Sequence, residues 1–248
     1  MRVDVFFGAT TVAPAELQGR VVVVIDVLRA STSIAVALAN GARTIIPFDS
    51  TEEVIDRSKS FARGEVRLAG ERRMRAVPGF DFGNSPLEFT RAAVEGKTVL
   101  FSTTNGTGAM IGIQGARDVV VGSYVNFSAV LTLLRTAARG GTDVAILCAG
   151  RDRQFSLEDA ACAGRYARAV RDRDPDVELN DGAIAALHIE HAYGDDLARL
   201  FLDAAHGRAL RDAGFEEDLR VCASLDAYPV IPVYQDRQIT MLGPERGR

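Results

Sequence analysis

The fold class is decided by residues 21–33, Val21-Val22-Val23-Val24-Ile25-Asp26-Val27-Leu28-Arg29-Ala30-Ser31-Thr32-Ser33. The stretch opens with five β-branched residues without polar alternation, a pattern typical of a strand that is buried on both faces. A helix is predicted from about Ser33 to Asn40, and Gly41 is placed to end it. A fully buried strand followed at once by a helix is the repeating unit of an α/β fold.

The same alternation continues outward from this unit. Further strands are predicted near residues 43–47, 66–69, 98–102, 119–122, 144–147 and 230–234. Helices are predicted near 51–62, 86–94, 108–114, 127–138 and 157–170, and the chain after about 181 reads as mostly helical. Together these elements predict a three-layer α/β/α fold with a mostly parallel sheet. We expect a single domain over residues 1–248, or two intimate lobes around a shared sheet.

Composition and charge narrow the class of protein. The formal net charge of the 248 residues is −4, so nothing global favours a nucleic-acid or membrane surface. No apolar run approaches the roughly 20 residues of a membrane-spanning helix, and the first residues do not resemble a secretory signal. The three widely spaced cysteines argue against a disulfide framework and favour a reducing cytoplasm. A homodimer is the default expectation for a cytoplasmic protein of this size.

Polar residues cluster after the predicted strands, where α/β proteins bind ligands. Asp26 ends a strand and is suited to a hard cation, while Arg29 and the helix-opening amides are suited to an anion. A strand-end aspartate with an ordinary helix cap is the alternative interpretation, and residue type alone does not separate the two.

Three further segments repeat this pattern less strongly. Glu71 and Arg72 follow a strand and a glycine, although a surface ion pair, the commoner fate of such residues, would also explain them. Residues 103–107, Thr-Thr-Asn-Gly-Thr, can present several donors to phosphate oxygens, or can form a simple Asn-Gly turn. Glu158 and Asp159 open a helix, where they could bind a metal ion or only complement the helix dipole.

Several familiar phosphate chemistries are excluded by spacing. Gly96-Lys97-Thr98 is not a P-loop, because position 91 is Arg91 and a strand follows. Cys148 has Gln154 instead of an arginine six residues later, so we expect a buried, inert thiol. Leu28 stands where a paired-aspartate phosphatase needs its second aspartate after Asp26.

Taken together, these segments resemble the 2-phosphosulfolactate phosphatase family. The resemblance rests on the order and spacing of residues 25–32, 70–72, 79–86, 103–107, 148–150, 155–159 and 214–219 with Cys222, which span nearly the whole chain. It implies magnesium-dependent hydrolysis of 2-phospho-3-sulfolactate to 3-sulfolactate and phosphate, a step toward coenzyme M. The alternatives are a phosphatase for another small phosphorylated hydroxy acid and a non-catalytic small-anion-binding protein.

The expected site follows from the segments and the resemblance. Asp26, Arg29 and Arg72 are the predicted catalytic residues. The predicted substrate-binding residues are Ser31, Thr32, Asn84, Ser85, Thr103, Thr104, Asn105, Gly106 and Thr107. Magnesium ligands are expected among Asp26, Glu71, Glu158 and Asp159, with Asp181 a weaker candidate that helix capping explains more simply. Direct attack by water, with Asp26 as ligand or base, and an aspartyl-phosphate on Asp26 are both open mechanisms.

Overall fold

A computed structural model of the chain describes residues 1–8, 12–62, 64–152 and 154–243. Its strands are β1 (Arg2–Phe6), β2 (Val21–Ile25), β3 (Thr44–Pro47), β4 (Val66–Arg72), β5 (Arg75–Ala76), β6 (Thr98–Ser102), β7 (Asp118–Gly122), β8 (Val144–Cys148), β9 (Glu178–Leu179), β10 (Pro232–Gln235) and β11 (Gln238–Met241). Its helices are α1 (Pro14–Leu17), α2 (Ala30–Ala39), α3 (Thr51–Ser58), α4 (Arg91–Val94), α5 (Gly106–Ile111), α6 (Phe127–Arg139), α7 (Leu157–Arg171), α8 (Asp181–Tyr193), α9 (Leu197–Asp203), α10 (Ala205–Asp212) and α11 (Glu216–Cys222).

The described strands form one sheet in the order β5-β4-β6-β3-β11-β10-β7-β2-β8-β1-β9. Strands β4, β6 and β3 are mutually parallel, and so are β7, β2, β8, β1 and β9. The hairpin of β10 and β11 joins these two parallel blocks through antiparallel pairs on both of its edges. Because three antiparallel steps separate β3 from β7, the two blocks run in opposite directions.

Strand β2 shows why the fold has three layers. Val21, Val23 and Ile25 belong to one hydrophobic core, together with buried side chains of α6 to α11. Val22 and Val24 belong to a second core, which contains buried side chains of α2 and α5. A strand whose side chains alternate between two cores is buried on both faces, as its unbroken β-branched run predicts. The predicted α/β/α architecture with a mostly parallel sheet is confirmed.

Some predicted boundaries are wrong. Helix α2 begins at Ala30, three residues before the predicted start. Residues 86–94, predicted as one helix, form a 3-10 turn at Pro86–Glu88 and the separate helix α4. The break has a packing cause, because the Phe89 ring is buried between Phe82 and Phe101 and its carbonyl accepts a hydrogen bond from Asn40 Nδ2.

No helix within the described ranges is both long enough and apolar enough to cross a membrane.

Candidate active site

A cavity of about 180 Å³ lies where turns from the two parallel blocks meet. Seven of the predicted site residues line it: Asp26, Arg29, Glu71, Asn84, Thr103, Thr104 and Asn105. Strands β3, β11, β10 and β7 lie between β6 and β2 in the sheet. Even so, Gly106, which follows β6, packs against Asp26, which follows β2. The carboxyl ends of oppositely directed blocks therefore converge on one cavity.

Asp26 is fixed by the first turn of α2 and is only 5% exposed. Its N–H donates to Ser31 Oγ (2.8 Å), its carbonyl accepts from the Ser31 N–H (2.8 Å), and its Oδ1 accepts from the Ala30 N–H (3.3 Å). No described residue donates a hydrogen bond to Oδ2, the oxygen that lies against Gly106. Among the described residues, this oxygen of the buried Asp26 side chain therefore has no donor and is open to a ligand.

Burial raises the pKa of Asp26 to about 6. The positive field of His206 and the hydrogen bond from the Ala30 N–H act in the opposite direction, while the carboxylates of Glu71 and Glu158 raise the pKa further. Asp26 is thus a carboxylate whose charged form is poorly solvated and which would gain from a cation in the cavity.

Arg29 lines the same cavity and is almost entirely buried. Its Nη1 donates to Asp218 Oδ2 (2.5 Å) and its Nη2 to the Met74 carbonyl (3.3 Å). The ring of Phe215 lies beneath the guanidinium, with its centroid 4.3 Å from Cζ. A positive charge is therefore held at the cavity wall by contacts behind it.

Glu71 joins two turns around the cavity instead of presenting free oxygens. Its Oε2 accepts from the Met74 N–H and its Oε1 from the Thr104 N–H, both at 2.9 Å. The turn after β6 is closed by Thr103 and Thr107, each of which donates its N–H to the hydroxyl of the other (3.1 and 3.2 Å).

Glu158 and Asp159, at the start of α7, lie behind the cavity wall and are each 2% exposed. Asp159 accepts from the Val27 N–H (2.9 Å) and the Gly150 N–H (3.2 Å), which ties the ends of β2 and β8 together. Burial, and then the charges of Glu158 and Asp26, raises the pKa of Asp159 well above its usual value. Glu158 Oε1 lies 3.4 Å from Nδ1 of His206, which reaches the cavity from α10.

The carboxylates around the cavity can be compared with the ligands that the expected magnesium ion needs. Within the described residues, no three or more His, Cys, Asp or Glu side chains are grouped closely enough to hold a metal ion. Mg²⁺ nevertheless needs only one or two carboxylates, because waters and phosphate oxygens complete its coordination. Asp26 Oδ2, for which the described residues supply no donor, fits that requirement. Asp181 does not, since it is exposed at the start of α8, where Asn180 caps the helix by accepting from the Ala183 N–H.

Four of the hydroxyl residues predicted to bind substrate support the cavity from behind. Ser31 Oγ accepts from Asp26, and Thr32 Oγ1 donates to the Val27 carbonyl (2.9 Å). Ser85 Oγ donates to Asp218 Oδ1 (2.6 Å), and Thr107 closes the turn with Thr103. None of the four is in the cavity lining.

Arg72, which is also predicted to be catalytic, is outside the lining of this cavity. Its Nη2 donates to Ser102 Oγ (3.0 Å) and its Nη1 to the Glu71 carbonyl (2.8 Å), so the side chain runs along the sheet. The next residue, Arg73, takes the position at the cavity instead.

The cavity lining includes six further residues that are not among the predicted site residues: Leu28, Arg73, Met74, Arg151, Asp152 and His206. Arg73 and Met74 form the tight turn between β4 and β5, both with positive φ (53° and 67°). Because Arg73 and Met74 directly follow the predicted site residues Glu71 and Arg72, their place in the sequence is a signal that could have identified them. His206 carried no local signal, because only tertiary structure brings α10 to Glu158.

A larger cavity of about 520 Å³ lies across the Thr103–Asn105 turn. Its described lining includes the carboxylate of Asp49 but no arginine or lysine. The smaller cavity is therefore the one suited to an anionic ligand.

Comparison with known proteins shows which family the chain belongs to. The family model described as 2-phosphosulpholactate phosphatase matches residues 8–237. A protein of Symbiobacterium thermophilum named probable 2-phosphosulfolactate phosphatase is 44% identical over 93% of this chain and 98% of its own length. Proteins with the same name from Caldanaerobacter subterraneus subsp. tengcongensis and Clostridium acetobutylicum are 37% and 33% identical, over 88% and 96% of this chain and 88% and 100% of their own lengths. The chain therefore belongs to the 2-phosphosulfolactate phosphatase family, as its motifs predict.

Proposed function

We propose that this chain is a magnesium-dependent phosphatase that converts 2-phospho-3-sulfolactate to 3-sulfolactate and phosphate. The observation that carries the proposal is Asp26 Oδ2, which has no donor among the described residues, in a cavity that is also lined by Arg29, Arg73 and Arg151. A carboxylate for a cation next to several guanidinium groups for anions is the combination that metal-assisted phosphate chemistry needs. The shared name of the relatives supports the same reaction.

The charges of the cavity suit a substrate with more than one anionic group. Arg73 has no ion pair with any described residue, and Arg151 has only a long contact to Asp152 (3.8 Å). Guanidinium groups bind phosphate, carboxylate and sulfonate oxygens through paired hydrogen bonds. Two weakly engaged arginines beside Arg29 therefore favour a phosphate ester that also carries other acidic groups.

Asn84 gives the cavity an additional polar contact. Its Oδ1 is buried and has no hydrogen-bond partner in the part of the chain that the structure describes. An unpaired buried acceptor costs about 1–3 kcal/mol, so a bound ligand or an ordered water is expected to donate to it.

Magnesium would be held by Asp26, together with water and substrate phosphate oxygens. Bound there, the ion would polarise the phosphoryl group and help to orient the attacking water. Glu71 and Asp159 fit as supporting groups, because both of their carboxylate oxygens already accept backbone N–H groups.

The chain's own residues suggest how the reaction would proceed. Arg29 would stabilise the negative charge of the phosphoryl group during transfer. Asp26 would orient the water or accept its proton as the water attacks phosphorus, and the leaving alkoxide would take up a proton to give the hydroxy acid. In the covalent alternative, Asp26 Oδ2 attacks phosphorus, the alkoxide leaves and takes up a proton, and water then hydrolyses the acyl phosphate.

The test is phosphate release from racemic 2-phospho-3-sulfolactate, with magnesium and with a chelator, beside a panel of other phosphorylated hydroxy acids. We expect rapid, chelator-sensitive turnover that is selective for the sulfolactate ester, and loss of turnover in Asp26→Asn. Efficient cleavage of a different ester would refute the substrate, and turnover that resists the chelator would refute the magnesium requirement. Anion binding without any hydrolysis would instead establish a small-anion-binding protein.

The proposal includes a cytoplasmic homodimer. The three cysteines are all buried free thiols, as expected for a protein of a reducing compartment. Light scattering would measure the oligomeric state, and a monomer at micromolar concentration would contradict the dimer.

A further inference from the structure

The Arg29 guanidinium is held by groups from two distant parts of the chain. Asp218 and Phe215 come from α11 and the residue before it, while the Met74 carbonyl comes from the turn after β4. Asp218 binds one end of the guanidinium at 2.5 Å, and the Phe215 ring covers its face at 4.3 Å. The rotamer of Arg29 is therefore restricted from three directions.

Asp218 itself is fully engaged. Its Oδ2 accepts from Arg29, and its Oδ1 accepts from Ser85 Oγ at 2.6 Å. Asp218 is 2% exposed, Arg29 is 3% exposed and Ser85 is 7% exposed. A single carboxylate thus connects the turn after β2, the segment before Pro86 and α11 in a water-poor environment.

Such a pair is hard to explain by stability alone. Desolvating two charges roughly cancels their attraction, so a buried ion pair often stabilises a fold no better than apolar side chains would. The two partners also differ in position, because Arg29 lines the cavity whereas Asp218 does not. The arrangement fits a carboxylate that holds a cation in place for a ligand.

We infer that Asp218, on α11, is a positioning residue that fixes the Arg29 guanidinium at the cavity for the transferring phosphate, with Ser85 fixing Asp218 in turn. This inference rests on the proposed phosphatase function. It assigns α11, which lies outside the sheet, a direct part in the geometry of the site.

A double-mutant cycle separates positioning from a merely structural role. We expect Asp218→Asn to lower kcat about tenfold or more with a smaller change in KM, and Arg29→Gln to lower kcat at least as much. If Asp218 acts through Arg29, the double variant is no slower than Arg29→Gln alone. Glu217→Gln is the matched control, because Glu217 lies on the same helix but pairs with Arg220 at the surface. Its kcat and KM should equal those of the wild type.

Folding is checked by thermal denaturation of every variant. Should Asp218→Asn fail to fold, Ser85→Ala provides the second measurement, because it removes the other hydrogen bond of Asp218 and leaves both charges in place. A fall in kcat of about threefold or more in folded Ser85→Ala supports the inference. Wild-type kinetics in folded Asp218→Asn or in folded Ser85→Ala would overturn the inference. It would also be overturned if the reductions in kcat by Asp218→Asn and Arg29→Gln multiply in the double variant.

Binding of inorganic phosphate, measured by calorimetry, distinguishes failure of this inference from failure of the proposed function. If the wild type cleaves no ester, the Kd for inorganic phosphate replaces kcat as the quantity measured in the same double-mutant cycle. Weaker binding in Asp218→Asn that adds nothing to Arg29→Gln supports positioning. Unchanged binding in Asp218→Asn, or additive losses, refutes it.

Discussion

Gly106 packs so closely against Asp26 that a methyl group on its α-carbon would lie 2.7 Å from Asp26 Oδ2 and 2.7 Å from Ala30 Cβ. Space, not backbone conformation, is what requires glycine at this position. We predict that Gly106→Ala displaces the Asp26 carboxylate and lowers kcat/KM by about tenfold or more, since misplacement of a reacting group by about 1 Å can reduce rates by two orders of magnitude. Overpacking should also lower the free energy of unfolding by about 1–3 kcal/mol.

Gly108→Ala is the matched control in the same helix. The nearest atom to a methyl group at Gly108 would be Asp49 Oδ1 at 3.6 Å, an ordinary contact. Replacing a helical glycine by alanine should stabilise the protein by up to about 1 kcal/mol and leave kcat/KM unchanged. Steady-state kinetics and urea unfolding of both variants test the contrast, and wild-type kcat/KM in Gly106→Ala would contradict it.

Arg73 and Arg151 are predicted to bind the anionic groups of the substrate that are not transferred. Removing one charge-assisted hydrogen bond costs about 1.5–3 kcal/mol, so Arg73→Gln and Arg151→Gln should each raise KM about tenfold or more with little change in kcat. Arg91→Gln is the control, because Arg91 is exposed on α4 and pairs with Glu95. Unchanged KM in both cavity variants would show that these arginines do not contact the substrate.

Local sequence patterns predict the central part of the fold because they follow directly from burial. The run of β2 and the helix after it are determined by which residues face the two cores. Strand β1 is harder to recognise, since Asp4 interrupts its apolar residues. Asp4 is buried in β1 because Arg2 Nε (2.8 Å) and Arg20 Nη1 (2.7 Å) pair with it. Only the assembled sheet brings Arg20 to that place.

The residues of the candidate site likewise include some that a local sequence pattern predicts and some that only the folded structure brings to the cavity. Asp26, Arg29 and the turn after β6 carry local signals, because a strand end followed by small polar residues is a short-range pattern. Asp218 and His206 could not be selected on such grounds, since they reach the site from α11 and α10, more than 170 residues after Asp26. Their contacts with Arg29 and Glu158 are the evidence for them.

The Cys148 thiol is predicted to be chemically inert. It is fully buried at the end of β8, and burial raises its pKa well above the usual value, so the reactive thiolate is not populated near neutral pH. Cys148→Ala should retain wild-type kcat and lose about 1 kcal/mol of stability from the smaller side chain. Iodoacetamide should leave the native enzyme active, with Cys148 unmodified by mass spectrometry. Loss of activity that coincides with alkylation of Cys148 would revive a cysteine-based mechanism.

The raised pKa of Asp26 predicts how the stability of the metal-free protein depends on pH. Burial raises this pKa from 3.8 to about 6, so the folded state favours the protonated carboxyl. The resulting stabilisation is fully present below about pH 4 and is lost as the pH rises through about 6. A shift of about two units corresponds to about 3 kcal/mol at most.

Asp26→Asn removes this dependence, because asparagine carries no proton to release. In the presence of a chelator, the free energy of unfolding of the variant minus that of the wild type should therefore increase between pH 4 and 7. Glu52→Gln is the control for the sign, since the pKa of the exposed Glu52 is lowered, first by a hydrogen bond from its own N–H. The stabilisation by the ionised Glu52 carboxylate is present at neutral pH and lost on acidification. The free energy of unfolding of Glu52→Gln minus that of the wild type should therefore decrease as the pH rises, opposite to the change for Asp26→Asn. Urea unfolding at unit pH intervals measures both differences, and a flat difference for Asp26→Asn would mean that Asp26 ionises in the folded protein as readily as in the unfolded chain.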